Sequence, residues 1–159
     1  MKLYFCPLCV YSLLKYTEQL IIYQKKIQIM NKKTFAVDID GTITENGGGR
    51  IHLDALESLR RLTNMGHDVI YVTGRSSVEA YLLSVFGGTK KIAVGENGGC
   101  IAMDADDHIL LGNIEECNKA FELIKNSIDG VEKKPVFPRL TEVVLERTCD
   151  LDDARKILS

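Results

Sequence analysis

Two aspartates one residue apart, Asp38 and Asp40, end a short apolar run, Phe35-Ala36-Val37, and Gly41-Thr42 follows at once. Carboxylates at this spacing suit two kinds of chemistry. Together they offer hard oxygen donors to Mg²⁺, a cation that prefers to keep waters and substrate phosphate in its octahedron. Separately, one can attack phosphorus to form an aspartyl-phosphate, while the other protonates the leaving oxygen and then activates water. Gly41 permits close backbone approach, and the N–H groups around it can cradle phosphoryl oxygens. Further along, Val72-Thr73-Gly74-Arg75 puts a hydroxyl at the end of a second apolar run. That hydroxyl can donate to a phosphoryl oxygen in the transition state, and a helix beginning just after it adds a dipole favourable to an anion. Arg75 reads either as an anion-binding side chain or as a solvated or structural one.

These residues need a scaffold that brings strand ends together, and the pattern from Thr34 onward supplies one. Short apolar runs alternate with helical periodicity, the signature of successive βα units. Strands are expected at Phe35–Ile39, Asp68–Thr73 and Lys91–Val94. Between the first two lies a helix with Leu53, Leu56, Leu59 and Leu62 as its stripe and Gly66 as its C-terminal cap. Between the second and third lies a helix capped by Ser76 or Ser77, with the stripe Val78, Tyr81, Leu82 and Val85 and the stop Gly87-Gly88. This is half of a doubly wound α/β sheet, in which ligands bind beyond the carboxyl ends of the strands.

The pattern changes after the Gly95-Glu96-Asn97-Gly98-Gly99 loop. Cys100–Met103 and His108–Leu111 read as a hairpin around the acidic turn Asp104–Asp107. Asn113 with Glu116 resembles a capping box for a helix facing inward through Ile114, Cys117, Phe121, Leu123, Ile124 and Ile128. A strand is expected over Thr141–Arg147, then a last helix capped by Asp150, with Leu151, Ala154, Ile157 and Leu158 turned inward.

The chain has 159 residues and net charge −2, so it lacks the basic excess of a nucleic-acid binder. The charge is unevenly spread. Residues 1–33 hold six lysines against Glu18 alone, net +5, leaving −7 for the rest. Residues 1–29 are therefore read as an extension outside the main design, with Met30 as the natural start. A second reading of that stretch is a membrane-surface helix through Val10, Leu13, Leu14, Leu20 and Ile21; charged residues interrupt it too often for a membrane span. Five cysteines are an odd number for a disulfide framework and point to a reducing cytoplasm. Cys6 and Cys9 have zinc half-site spacing, but nothing nearby completes a four-ligand set.

Asp38-Ile39-Asp40-Gly41-Thr42 resembles the first motif, DxDGT, of the haloacid dehalogenase superfamily of phosphatases. The resemblance implies Asp38 as nucleophile and Asp40 as general acid/base. It also implies Mg²⁺ held by the Asp38 carboxylate and the Asp40 backbone carbonyl, with Thr73 binding the transferring phosphoryl group. Gly41, Thr42, Gly74, Arg75 and Asn97 are expected around the substrate, a small phosphorylated metabolite. The implied fold is a Rossmannoid parallel sheet, its N-terminal half at residues 30–99, with a partial α+β cap at 100–159. The chain is similar to the archaeal phosphoglycolate phosphatase branch in the run Ala36–Thr44, in the Gly95–Gly99 loop and in the cap-like run Thr141–Arg147. Arg75 departs from the Asn of that branch and resembles the sucrose-phosphate phosphatase and Cof-like group instead, which keeps sugar phosphates open as substrates.

The family's later motifs, a Lys and a Gly-Asp acidic loop, have no counterpart before Ser159. Asp104–Asp107 reads as a hairpin turn and Asp150–Asp153 as a helix cap, while Lys90, Lys91, Lys133 and Lys134 read as surface charges. The sequence is therefore expected to be the N-terminal part of a phosphatase, weakly active or inactive alone. A C-terminal fragment would complete it, and Phe35–Ile39 would form an exposed sheet edge open to self-association. A non-catalytic remnant is the other reading.

Overall fold

A computed structural model describes residues 17–26, 32–45 and 49–159. Cys6, Cys9, Val10, Leu13, Leu14 and Met30, singled out above, lie outside these residues. The chain divides into two compact units, Met1–Lys33 and Thr34–Ser159. In the first, residues 17–26 are helical, with Leu20 and Ile21 exposed. No described helix is long and apolar enough to cross a membrane.

The second unit is built on one five-stranded sheet in the order β1-β2-β3-β4-β5. β1 (Thr34–Val37), β2 (Asp68–Val72) and β3 (Ala93–Gly95) run parallel, Thr34 beside Asp68 and Tyr71 beside Ala93. Their crossovers are α1 (Leu53–Asn64) and α2 (Ser77–Gly87). β4 (Cys100–Ala102) and β5 (His108–Leu110) form the expected hairpin, closed where Met103 N–H donates to Asp107 O at 2.8 Å. β4 pairs antiparallel with β3, Gly95 opposite Cys100, so the sheet continues through residue 110. β1 is an edge strand, as the sequence anticipates.

The inner face of each helix differs from the expected stripe, and helix geometry explains both cases. Residues three apart step back by roughly 60° around an α-helix, so a run of four such leucines cannot all face one way. α1 turns Ala55, Leu56, Leu59 and Leu62 toward the sheet and leaves Leu53 77% exposed. In α2 the buried residues are Ser77, Ala80, Tyr81, Ser84 and Gly87, while Val78 and Leu82 are exposed. Small residues win that face because the helix lies almost on the strand: a Cβ on Gly95 would sit 2.5 Å from both Cα and N of Ser77. The start and stop of α2 are as expected. Ser76 and Glu79 form a capping box, and Gly88 closes the helix in the left-handed conformation. The core here gathers Ile39, Ile43, Tyr71, Ala80, Tyr81, Ala93 and Ala102.

A second cluster lies beyond the hairpin. α3 (Ile114–Ser127) and α4 (Leu151–Leu158) bury Phe121, Ile124, Val131 and Ala154 against Val143, Leu145 and Ile157. Leu123, Leu151 and Leu158, expected inside, are exposed because they fall off these faces. Asn113 accepts from the N–H groups of Glu115 and Glu116, which is the forward half of a capping box. Asp150 caps α4 through Asp152 and Asp153. The strand expected over Thr141–Arg147 is reduced to one bridge, Lys133 opposite Leu145, flanked by Lys134 N–H to Val144 O at 2.8 Å and Glu146 N–H to Glu132 O at 3.0 Å. Pro135 and Pro138 contribute no N–H donor, so the pairing stops short.

The close approach of α2 to β3 sets a test. Gly95→Ala would push a methyl into helix backbone that has no rotamer to change, and is expected to lower stability by about 1–3 kcal/mol. The midpoint of urea unfolding measures it; a loss under about 0.5 kcal/mol would mean that the layer tolerates an added methyl.

Candidate active site

The parallel strands end side by side, and their carboxyl ends bring together Asp38, Thr73 and the Glu96–Gly98 turn. Beyond Ile39 the chain wraps on itself: the N–H groups of Thr42, Ile43 and Thr44 all converge on the Ile39 carbonyl at 3.1–3.3 Å. Gly41 takes φ +77° to make that turn, a conformation that favours glycine. Its N–H donates to Thr44 Oγ1 at 3.2 Å, and Thr44 in turn donates to Ile39 O. The Gly41 N–H expected to cradle an anion is therefore engaged in holding the loop. Thr42 is exposed beside it.

The two aspartates meet different fates. The exposed Asp38 carboxylate has no hydrogen-bond or ion-pair partner among the described residues. Asp40, by contrast, takes a bidentate bond from Arg75: Nε to Oδ2 and Nη2 to Oδ1, both at 2.8 Å. The remaining Arg75 nitrogen, Nη1, reaches Glu79 Oε1 at 2.9 Å, and the other Glu79 oxygen accepts from Ser76 N–H. The capping box of α2 thus orients Glu79, Glu79 orients Arg75, and Arg75 fixes Asp40. The Asp40 bond, with Glu79 adding to it, raises the Arg75 guanidinium further above its ordinary value, although burial opposes this.

Thr73 is 5% exposed, its N–H bound to Val94 O at 2.9 Å. Its hydroxyl accepts from Arg75 N–H at 3.2 Å, leaving its own hydrogen without an acceptor among the described residues. The hydroxyl can therefore donate to a ligand.

A cleft of about 550 Å³ opens beside Asp40, Gly74, Arg75 and Asn97. Its far wall is the stretch from Lys134 to Arg147. Asp38, Gly41, Thr42 and Thr73 are not part of the lining. Arg139 crosses the cleft: Nη1 donates to Gly74 O at 2.7 Å and also bonds Glu142. Asn97 Nδ2 donates to the other Glu142 oxygen at 2.9 Å.

The residue that the sequence reading missed is Glu96. It is 2% exposed, and both its carboxylate oxygens are occupied. Oε2 accepts from Leu140 N–H (2.9 Å), Thr141 N–H (2.8 Å) and Thr141 Oγ1 (2.7 Å), and Oε1 from Ser77 Oγ (3.0 Å). Glu96 and Asn97 hold φ +56° and +54°, which costs a non-glycine residue about 1–2 kcal/mol each. The network sustains that strain, with Glu96 N–H to Arg75 O at 2.7 Å and Asn97 N–H to Thr73 O at 3.3 Å tying the turn to the second strand end. Burial pushes the Glu96 carboxyl up, but donation from Thr141, Leu140 and Ser77 outweighs it and leaves the group below the usual carboxylate range. A sequence signal did exist: an acid directly before Asn-Gly-Gly, at the end of a buried strand.

The acidic stretches at Asp104–Asp107 and Asp150–Asp153 are a hairpin turn and a cap. Asp104 accepts from Tyr81 Oη at 2.7 Å. Among the described residues no group of three or more His, Cys, Asp or Glu is arranged to hold a metal. Asp38 Oδ and the Asp40 backbone carbonyl remain as two oxygen donors, which fits a cation that takes few protein ligands.

The acid pair and the buried hydroxyl thus stand at the carboxyl ends of an open α/β sheet, the edge at which ligands bind in this architecture. Residues 35–135 match the haloacid dehalogenase-like hydrolase family, and the chain belongs to it. It is 77% identical over 130 residues to a phosphoglycolate phosphatase of Nitrosopumilus maritimus, covering 82% of this chain and 56% of that protein. It is 34% identical to a phosphoglycolate phosphatase of Methanosarcina mazei, covering 81% and 55%. The chain thus spans a little over half the length of these curated relatives. The crystal structure of Thermoplasma acidophilum 0175 superposes with TM-score 0.66 at 24% identity, over 79% of this chain and 56% of that one, a likeness of fold.

Glu96→Gln replaces a two-oxygen acceptor by an amide whose NH₂ faces other donors. It is expected to cost about 2–4 kcal/mol at pH 7. Because the native carboxyl is held low, the wild type's advantage is complete above the unfolded value of about 4.3 and fades as pH falls through the lower folded value. Urea unfolding at pH 7 and pH 3 tests this; an equal gap at both would show that the ionised carboxylate is not what holds the network.

Proposed function

We propose that this chain carries the nucleophile and the acid/base of an Mg²⁺-dependent phosphomonoesterase whose substrate is 2-phosphoglycolate. One observation carries the reading: of two carboxylates at the end of β1, Asp38 is free to attack, while Asp40 is fixed at the mouth of a cleft by Arg75. The names of the curated relatives supply the substrate.

In the first step an Asp38 oxygen attacks phosphorus and forms an acyl-phosphate bond as the ester P–O bond breaks. The electron pair goes to the departing alkoxide, which takes a proton from Asp40. Asp40 then removes a proton from water, whose oxygen attacks phosphorus, breaks the acyl-phosphate bond and frees Asp38 and inorganic phosphate. Thr73 Oγ donates to a phosphoryl oxygen throughout. Arg75 occupies both oxygens of Asp40, so delivery of a proton to the leaving group in the first step requires Asp40 to part from Arg75. The second step, in which Asp40 acts as a base, suits the pair as it stands. The Asp38 carboxylate and the Asp40 carbonyl would hold Mg²⁺, which would supply charge neutralisation for the phosphoryl oxygens.

The test is phosphate release from 2-phosphoglycolate with Mg²⁺, run on the chain alone and with the part of the N. maritimus relative that it does not cover. Asp38→Asn is expected to abolish release, and Asp40→Asn to slow it by about 10²–10⁴-fold. Turnover that survives Asp38→Asn, or none in either preparation, would overturn the reading.

A further inference from the structure

The cleft holds four cations and three acids. Arg75 is balanced by Asp40 and Glu79, and Arg139 by Glu142. Two cations remain, Lys134 and Arg147, whose side chains have no hydrogen-bond or ion-pair partner among the described residues. Their orientation is built in. Lys134 pairs through its backbone with Val144, and both line the cleft. Its neighbour Lys133 turns the opposite way, lying 4.6 Å over the Phe121 ring and bonding Asn118 at 2.7 Å. Alternation along an extended segment therefore gives one lysine to the helix and the other to the cleft. Between the cations and the strand ends stands Arg139, its side chain 10% exposed and its buried Nε without a partner.

We propose that Lys134 and Arg147, together with Arg139, form a subsite for a carboxylate on the leaving group of the substrate, so that they select small phosphomonoesters bearing a second anion. This rests on the phosphomonoester reading above and assigns the selection to this chain's own residues. A neutral polyol would leave both cations unmatched, whereas a planar carboxylate meets the guanidinium fork and the ammonium together. Because Lys134 and Arg147 are exposed, the selection should weaken with salt.

The experiment titrates the full chain, with Mg²⁺ present, with three esters of similar size: 2-phosphoglycolate, ethyl phosphate and 2-aminoethyl phosphate. Calorimetry is expected to rank them in that order, the first at least about tenfold tighter than the second, the equivalent of one charge-assisted contact. The exposed double variant Lys134→Met, Arg147→Met should collapse the ranking about tenfold. Lys156→Met, which changes an exposed charge on α4, should keep it. Equal wild-type affinity for all three esters, or an unchanged ranking in the double variant, overturns the subsite and leaves the phosphomonoester reading standing. Failure of all three to bind overturns that reading, and the subsite with it.

Discussion

The arrangement of the cleft depends on one buried carboxylate. Glu96 joins three pieces: the end of β3, the start of α2 through Ser77, and the Leu140-Thr141 segment from the far side of the cleft. Ionised groups are rarely buried unless every oxygen is satisfied, and here five donors do so. The left-handed backbone at Glu96 and Asn97 is the cost of pointing the carboxylate inward while Asn97 points into the cleft. Arg139 and Glu142 flank the pinned pair Leu140-Thr141, so the same bonds that secure Glu96 set where Arg139 meets Gly74.

From this follows a division of labour between the aspartates. A nucleophile must be free and a proton carrier must be placed, and the local sequence meets both demands within three residues. The turn after Ile39 frees Asp38 by engaging the N–H groups of residues 41–44 with Ile39 O and Thr44. Arg75 places Asp40, and the α2 capping box places Arg75 in turn through Glu79. A helix cap, ordinarily a stability device of about 1 kcal/mol, here also sets the direction of a carboxylate thirty-nine residues upstream.

Legibility in the sequence followed the range of the interactions. The places of the first three strands, the hairpin, the caps at Ser76, Asn113 and Asp150, and the closing turn at Gly88 depend on neighbours a few residues away, and the pattern showed them. The inner face of α2 did not follow from hydrophobic spacing, because Gly95 on another element decides it, by letting Ser77 approach to contact distance. Thr141–Arg147 carries β-branched residues at strand spacing, yet prolines across from it limit its pairing to a single bridge. Of the site, Asp38, Asp40 and Thr73 were visible as a motif at strand ends. Arg75 was visible as a residue but not as the partner of Asp40, a contact across thirty-five positions. Glu96 carried only a weak local sign, an acid before Asn-Gly-Gly, and Arg139 none, since each draws its role from bonds spanning forty-four and sixty-five positions.

The same range argument bears on how such a site can choose its substrate. The reacting groups sit on strand ends of one sheet, where position is set by the core around Tyr71 and Ala93. The cations facing them belong to a segment packed on a different cluster, around Phe121 and Ile124. Bonds across the cleft join the two: Glu96 to Leu140 and Thr141, Arg139 to Gly74, and Asn97 to Glu142. Among the described residues the buried Glu96 carboxylate pairs with no cation, so salt screens its bonds little. Arg139, shared between the Gly74 carbonyl and Glu142, has an alternative partner whenever an anion enters the cleft.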